Sequence, residues 1–220
     1  MRRICKGGTM IYPKYHKIYS PLWGAYFRFI IQKEFHGFYF DNSFPIKKDK
    51  GLLVVANHFS WWDGFFLYKL NEMLFKKRFH VMMLEENLEK NKFLRYSGAY
   101  SVARNSRSLI ESLNFTHRLL ENPDNMVLIF PQGEIKSAFQ QHFQVEKGAF
   151  RVAQKNPDIQ VINVAMFTDY FEQKKPGVYL YLNEIKREYF SSFGVFKEAF
   201  VKFQMESAFK HGERKKSGIN

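Results

Sequence analysis

The chain of 220 residues has one cysteine, Cys5, so it can form no intrachain disulfide and no cysteine metal cluster. A reducing compartment is the simplest environment for such a chain. No apolar run follows the basic start "MRRICKGGTM", so we expect no signal peptide, and Met10 is a second possible start. Histidine and carboxylate residues do not cluster at the spacing of metal ligands, so we expect no metal and no cofactor.

Acidic residues are scarce beside basic ones, with 21 Asp and Glu against 34 Lys and Arg, a net charge of +13. Residues 1–50 hold ten basic and three acidic residues, which places +7 in that segment. Such a field favours anionic partners, namely nucleic acid, anionic lipid headgroups or an acidic carrier protein. With 25 Phe, 12 Tyr and 3 Trp, aromatic residues are unusually common, so we expect part of them to face something other than the core, for example lipid or a membrane interface.

With 45% hydrophobic residues, the chain can bury the core of one domain. Short apolar runs such as "LLVVAN", "FHVMML" and "MVLIF" predict buried strands, and helical patterns separate them. This alternation predicts an α/β fold, a single domain whose central, mostly parallel or mixed sheet is flanked by helices. The alternating run "VYLYLNEI" is expected to lie antiparallel at an edge of that sheet.

Residues 20–32, "SPLWGAYFRFIIQ", predict a short amphipathic N-terminal helix, with Ser20 as its cap and Pro21 in its first turn. A helix of about 12 residues spans roughly 18 Å, short of the roughly 30 Å of a bilayer core. It is therefore either a core helix or an interfacial helix. We divide the chain into a basic, aromatic membrane-docking segment at 1–45, an α/β domain at 46–210 that carries the candidate site, and a disordered tail at 211–220.

Two His-x4-Asp patterns compete as a catalytic pair. His58 and Asp63 directly follow the buried strand "LLVVAN", whereas His36 and Asp41 lie in or beside an alternating strand. Ligands of open α/β sheets bind beyond the carboxyl ends of strands, which favours His58 and Asp63. Histidine is a general base near neutral pH, and a carboxylate on its second nitrogen fixes the tautomer and stabilises the imidazolium. The alternative is that Asp63 only caps the following helix.

A second loop, "FPQGEIKS", follows the buried strand "MVLIF". Pro131 ends the strand, and Gly133 allows another backbone or a ligand to approach closely. Lys136 and Lys147 are nearby cations for an anionic ligand. An ordinary surface turn with solvated lysines is an alternative that would give the same sequence pattern.

Together these motifs resemble the glycerolipid acyltransferase family of the lysophosphatidate acyltransferase type. The first family block, N-H-x4-D, is matched by Asn57, His58 and Asp63, and the second by Gly98 and Arg104 in "SGAYSVAR". The third block, usually F-P-E-G-T-R-S, is matched by Phe130, Pro131 and Gly133. A K-G-A helix start at Lys147 and the strand "VINVA" follow, so that the blocks stand in the family's order across residues 50–166.

The third block departs from the family pattern, which bears on the acceptor. Gln132 replaces the family's Glu, Glu134 its Thr, Ile135 its Arg and Lys136 its Ser, and Asn163 replaces a proline of the last block. The resemblance associates this block with binding of the acceptor phosphate. Loss of the arginine weakens the prediction of a phosphorylated acceptor, although Arg104, Lys136 and Lys147 can supply the missing positive charge.

The resemblance implies a membrane-associated O-acyltransferase in which His58 is the general base and Asp63 orients it. The donor is expected to be the thioester of acyl-CoA or acyl-carrier protein, and the acceptor best matches 1-acyl-glycerol-3-phosphate. Acceptor and acyl binding is expected from Asn57, Arg104, Lys147 and residues 130–134 and 136, which are Phe130, Pro131, Gln132, Gly133, Glu134 and Lys136. The enzyme is expected at the cytoplasmic face of a membrane with anionic lipids, peripheral or monotopic, without nucleic acid.

Two alternatives stay open from the residues. The first keeps the fold and the chemistry but uses a non-phosphorylated lipid, a pigment or an amine as acceptor. The second is a non-enzymatic protein whose basic and aromatic surface binds membrane or nucleic acid.

Overall fold

The computed structural model describes residues 10–102, 106–138, 140 and 142–214 of the chain. Within these residues strands and helices alternate, as the sequence pattern predicts. The strands are β1 (Gly37–Asp41), β2 (Leu52–Ala56), β3 (Arg78–Leu84), β4 (Ala99–Val102), β5 (Asn125–Ile129), β6 (Gln160–Asp169) and β7 (Gly177–Glu184). The α-helices are α1 (Tyr19–Glu34), α2 (Asp63–Leu70), α3 (Glu85–Lys90), α4 (Ser106–Leu120), α5 (Lys147–Lys155) and α6 (Phe193–Gly212).

In the described part of the chain the strands form one seven-stranded sheet in the order β1-β7-β6-β2-β5-β3-β4. Strands β2 to β6 run parallel, β7 is antiparallel to β6, and β1 pairs with β7 in parallel. The predicted α/β fold with a mostly parallel or mixed sheet is confirmed. The antiparallel direction of β7 is as expected, but its edge position is wrong, because β1 covers it and leaves residues 178–182 buried.

The core has two main layers because alternate residues of β2 point to opposite faces of the sheet. Leu52, Val54 and Ala56 pack with α1 and α2, whereas Leu53 and Val55 pack with α4, α5 and α6. All five side chains are fully buried. The continuous apolar run of β2 therefore contributes to both layers of the core. Because the strand is held on both faces up to Ala56, the site loop begins at residue 57.

Helix α1 is longer than predicted and begins without the predicted cap. The Ser20 hydroxyl instead donates to the carbonyl of Tyr96 at 2.7 Å and accepts from the His16 amide at 3.0 Å. One side of α1 is core, where Phe27 and Ile31 are buried. The opposite side is apolar and exposed. None of the helices in the described residues combines the length and the apolarity needed to cross a bilayer.

Helix α2 changes to a π-helical turn over residues 71–75, where the Lys76 amide bonds the carbonyl of Asn71. The sequence spacing predicts Phe66, Leu70, Met73 and Leu74 on one face of a helix. Phe66 and Leu70 are fully buried, but Met73 is exposed. The wider turn accounts for this difference, because it breaks the 3.6-residue period on which the prediction depends.

The predicted tail, residues 211–220, overlaps α6, which ends at Gly212, and residues 215–220 lie outside the described residues. The same holds for residues 1–9, which include Cys5, and for Arg104 of the second block. Gly98 of that block is described and has a φ of 95°. A Cβ there would collide with the carbonyl oxygen of Phe79, so this position requires glycine.

Candidate active site

Two loops meet at the carboxyl edge of the sheet because β2 and β5 are neighbours and parallel. The pairing runs from Leu52 opposite Met126 to Val55 opposite Ile129. The loop after β2 carries the first sequence block, and the loop after β5 carries the third. This is the edge at which open α/β sheets bind their ligands.

His58 and Asp63 form a hydrogen-bonded pair at this edge. The His58 Nδ1 lies 2.7 Å from the Asp63 Oδ2. The His58 side chain is 22% exposed and that of Asp63 is fully buried. Because Nδ1 is engaged by the carboxylate, Nε2 is the ring nitrogen left to meet a substrate. This is the arrangement of a general base held by an acid.

The Asp63 carboxylate has three further donors, all from the loop that precedes it. Its Oδ2 accepts from the amides of Phe59 at 2.7 Å and Ser60 at 3.0 Å, and its Oδ1 accepts from the Ser60 hydroxyl at 2.7 Å. A buried carboxylate is stable only when donors replace its water, and four donors do so here. Asp63 thus holds the loop that precedes α2 and orients His58 as well. The N-cap of α2 is Trp62, with no side-chain capping bond, so Asp63 does not cap the helix as the alternative expected.

The loop after β5 holds His58 from the other side. The Phe130 ring stacks on the imidazole, with 4.1 Å between ring centroids and 13° between planes. The Gln132 Oε1 accepts from the His58 amide at 2.7 Å, and the Lys136 amide donates to the His58 carbonyl at 2.9 Å. Side chain and backbone of His58 are both fixed, as a base that must meet a substrate proton at hydrogen-bond distance requires.

The sequence model of the family described as Acyltransferase matches residues 38–167, more than half of the chain and all of the site. The chain belongs to the acyltransferase family. It is also similar to the crystal structure of the 1-acyl-sn-glycerophosphate (LPA) acyltransferase PlsC from Thermotoga maritima, with a TM-score of 0.66 and 19% sequence identity. The match covers 89% of this chain and 80% of that chain. A comparison with curated proteins finds no match.

Membership of the acyltransferase family confirms that the chain is an acyltransferase enzyme and removes the non-enzymatic alternative. The PlsC-like fold confirms the predicted architecture. The roles of individual site residues stay predictions, and the structure shows how each described residue is placed to fulfil them.

Asn57, the first residue of the acyltransferase N-H-x4-D block, braces two strands. Its side-chain Nδ2 donates to the Met166 carbonyl at 2.9 Å, and its Oδ1 accepts from the Met166 backbone amide at 2.8 Å. Its side chain is buried. Both hydrogen-bonding groups of Asn57 are therefore used to tie the end of β2 to β6, which places the following His58.

The third block of this acyltransferase begins with a buried, tightly bonded turn. Pro131 is buried and its carbonyl accepts from the Glu146 amide at 2.7 Å, which joins the loop to the start of α5. Gly133 is exposed and has a φ of 71°, a conformation that favours glycine. The block thus turns sharply at Gly133, after which the Lys136 amide bonds the His58 carbonyl.

The charged residues of the third block lie at the surface. Lys136 and Glu134 form an ion pair at 2.7 Å, and each side chain is about half exposed. The Lys147 ammonium lies over the Phe193 ring, 5.5 Å from its centroid. Arg104, the remaining predicted cation, lies outside the described residues.

His36 and Asp41 bond elsewhere and form no pair within the described residues. The His36 Nδ1 bonds the Lys175 carbonyl at 2.6 Å, and Asp41 pairs with Lys210 at 2.7 Å. Of the two His-x4-Asp patterns, the one that strand context favours is the one whose histidine and aspartate contact each other.

Ser60 is a site residue that the sequence reasoning missed. It donates to Asp63 through its hydroxyl and its amide, and its Oγ accepts from the Trp62 amide at 3.1 Å. The stretch "SWWD" has the serine-to-acid spacing of a capping box, and one half of that motif forms, because the Asp63 carboxylate accepts the Ser60 amide. The Ser60 Oγ bonds the Trp62 amide and not that of Asp63. The serine-to-acid spacing was the available signal.

Proposed function

We propose that this acyltransferase moves a fatty acyl chain from an acyl thioester to a hydroxyl of a lipid acceptor, with 1-acyl-glycerol-3-phosphate as the best match. The observation that carries the proposal is the 2.7 Å contact between His58 and Asp63 at the carboxyl edge of the sheet. Similarity to PlsC, a 1-acyl-sn-glycerophosphate acyltransferase, supports the acceptor. The net charge of +13 suits an acidic acyl-carrier protein or acyl-CoA as donor.

In the proposed mechanism, His58 Nε2 takes the proton of the acceptor hydroxyl while the oxygen attacks the thioester carbonyl. The tetrahedral intermediate then collapses, the carbon–sulfur bond breaks, and the imidazolium returns the proton to the departing thiolate. Asp63 balances the positive charge on the ring between these steps. Backbone amides of the two loops are the candidates to stabilise the oxyanion, and they act best where water is excluded.

The decisive experiment is an acceptor screen with the purified protein and labelled acyl-CoA or acyl-carrier protein, followed by mass spectrometry. We expect a labelled diacyl product from 1-acyl-glycerol-3-phosphate and none with the His58→Ala variant. Product from only an amine, a pigment or an unphosphorylated lipid would instead establish the alternative acceptor. Absence of thioester consumption with every acceptor would refute the proposal.

The Glu134–Lys136 pair bears on the choice of acceptor. If an acceptor phosphate approaches this loop, Glu134 repels it and also occupies the ammonium of Lys136. We expect Glu134→Thr to raise the kcat/KM for lysophosphatidate relative to an unphosphorylated acceptor. Because both side chains are half exposed, the expected gain is about two- to fivefold.

The matched control for this prediction is Glu188→Thr. It removes the same charge from an exposed residue of the short helix Arg187–Phe190, which follows β7 and lies away from the site. An unchanged ratio in Glu134→Thr, or the same gain in both variants, would show that Glu134 does not screen the acceptor.

We further propose that α1 docks on an anionic membrane at the cytoplasmic face. Its exposed side presents Leu22, Tyr26 and Phe29, which are 58%, 48% and 61% exposed. The Trp61 ring, 54% exposed in the site loop, packs 4.5 Å from Phe65, which in turn packs on α1. Packed aromatic rings therefore connect Trp61 with the core side of α1, and Trp61 itself adds an exposed apolar side chain at the site loop, where a lipid acceptor would arrive. Such helices lie in the interface and gain from nearby basic residues.

Exchange of Leu22 and Phe29 for serine tests this docking without removing core residues of α1. Each exposed apolar side chain is worth about 1.5–3 kcal/mol on burial, so the double variant should bind anionic vesicles at least about tenfold more weakly in flotation. The control is Met205→Ser with Phe209→Ser in α6, a comparably exposed pair. An equal loss in both variants would place the docking surface elsewhere, and equal binding to neutral vesicles would remove the electrostatic contribution.

A further inference from the structure

Gln132 occupies an unusual position for a residue of a ligand-binding loop. It follows β5 by three residues, and only 2% of its surface is exposed. Its Oε1 accepts the backbone amide of His58, a residue 74 positions earlier, at 2.7 Å. A group this deeply buried is poorly placed to bind an acceptor phosphate directly, but it touches the residue that carries the base.

The bond from Gln132 is one half of a backbone clamp on His58. The Lys136 amide donates to the His58 carbonyl at 2.9 Å, so both backbone groups of His58 are tied to the loop of residues 130–136. Phe130, from the start of the same loop, covers one face of the imidazole. The orientation of the base thus depends on a loop from a different strand, in addition to Asp63.

The amide of Gln132 is only half satisfied. Its Nε2 is buried and has no hydrogen-bond partner among the described residues. A buried donor without an acceptor destabilises a fold, whereas an apolar side chain of similar length would avoid that cost. The contribution of Gln132 therefore lies in its oxygen and the bond to His58.

We propose that Gln132 is a positioning residue for acyl transfer, which holds His58 through the backbone amide and does not itself bind the acceptor. The kinetic part of this inference rests on the proposed function, but the bond itself can be tested without activity. Catalytic rates fall steeply when a reacting group moves by about 1 Å, so loss of the clamp should act on turnover more than on substrate affinity.

The informative variant is Gln132→Met, which keeps the length of the side chain and removes the acceptor oxygen. We expect kcat to fall by roughly 10- to 100-fold while the KM values for donor and acceptor change less than about threefold. Hydrogen exchange at the His58 amide, resolved by NMR, should accelerate. Gln132→Glu, which keeps an acceptor oxygen, should retain the protection of this amide and recover most of the lost kcat.

The chain offers a matched control at the opposite edge of the sheet. Gln160 is 1% exposed, and its Oε1 accepts the Lys47 amide at 2.9 Å. Gln160→Met should lower the melting temperature but leave kcat and the exchange of the His58 amide unchanged. Should Gln132→Met not fold, Gln132→Asn withdraws the oxygen by one methylene and carries the same expectations.

Three results would overturn the inference: an unchanged kcat in Gln132→Met, unchanged exchange at His58, or a loss confined to the KM for phosphorylated acceptors. The last result would make Gln132 an acceptor-binding residue. A wild-type protein without acyl transfer would refute the proposed function alone, because the exchange measurement still reports whether Gln132 holds His58.

Discussion

Replacement of His58 by alanine is expected to abolish acyl transfer while the protein stays folded. The variant removes the only ring nitrogen in the described site that is both held by a carboxylate and left open to a substrate. General-base catalysis contributes roughly 10²- to 10⁴-fold, so kcat/KM should fall by that factor for every acceptor that the enzyme uses. Because His58 is partly exposed and Asp63 keeps its three donors from the loop, the melting temperature should fall only modestly.

His36→Ala is the matched control, since it alters the other His-x4-Asp pattern of the chain. His36 bonds the Lys175 carbonyl and Asp41 pairs with Lys210, so the variant should keep most of the activity. Thioester-dependent product formation by mass spectrometry and a thermal melt are the two measurements. Full activity in His58→Ala, or loss of activity in His36→Ala, would move the active site away from the edge described above.

The sequence was sufficient to predict the parts of the fold that depend on local pattern. The apolar runs of β2 and β5 predict buried strands, and the alternation with helices predicts the α/β class. The pairing of His58 with Asp63 was also predictable, because a short loop joins them and the block order of the family supports it. The spacing of Ser60 and Asp63 is a further local signal, and the hydrogen bonds between these two residues explain how the loop keeps its shape.

What the sequence could not predict depends on contacts between distant residues. Gln132 meets His58 across 74 positions, and Asn57 meets Met166 across 109. The resemblance placed both among the binding residues, yet their hydrogen bonds are made to backbone. Likewise, β1 and not β7 lies at the edge of the sheet. Strand order decides this, and the alternation of apolar and polar residues within one strand carries no information about strand order. The π-helical turn after α2 breaks a period that any pattern-based prediction assumes.

Substitution of Asp63 by asparagine is expected to separate its two roles. The asparagine oxygen can accept the same three N–H donors that Oδ2 accepts, from His58, Phe59 and Ser60. Its amide nitrogen would meet the Ser60 hydroxyl, which can rotate to accept. The loop therefore keeps its bonds and loses only the negative charge, whereas alanine would remove every acceptor at once.

Loss of that charge leaves the imidazolium of the reaction uncompensated in a site where the carboxylate is fully buried. We expect kcat to fall by about 10²- to 10⁴-fold, with small changes in KM and a modest change in melting temperature. Retention of kcat within about threefold would show that Asp63 only holds the loop.

The control for Asp63→Asn is Asp169→Asn, because Asp169 also neighbours a histidine, with 3.7 Å between its Oδ2 and the His211 Nε2. Burial lowers the pKa of the His211 imidazole below its usual value, so this ring is neutral near pH 7 and needs no counter-charge. The backbone amides of Tyr170 and Phe171 that bond Asp169 can bond asparagine equally. Asp169→Asn should therefore keep full activity, and a comparable loss in both variants would mean that the effect comes from charge at the sheet edge and not from the orientation of His58.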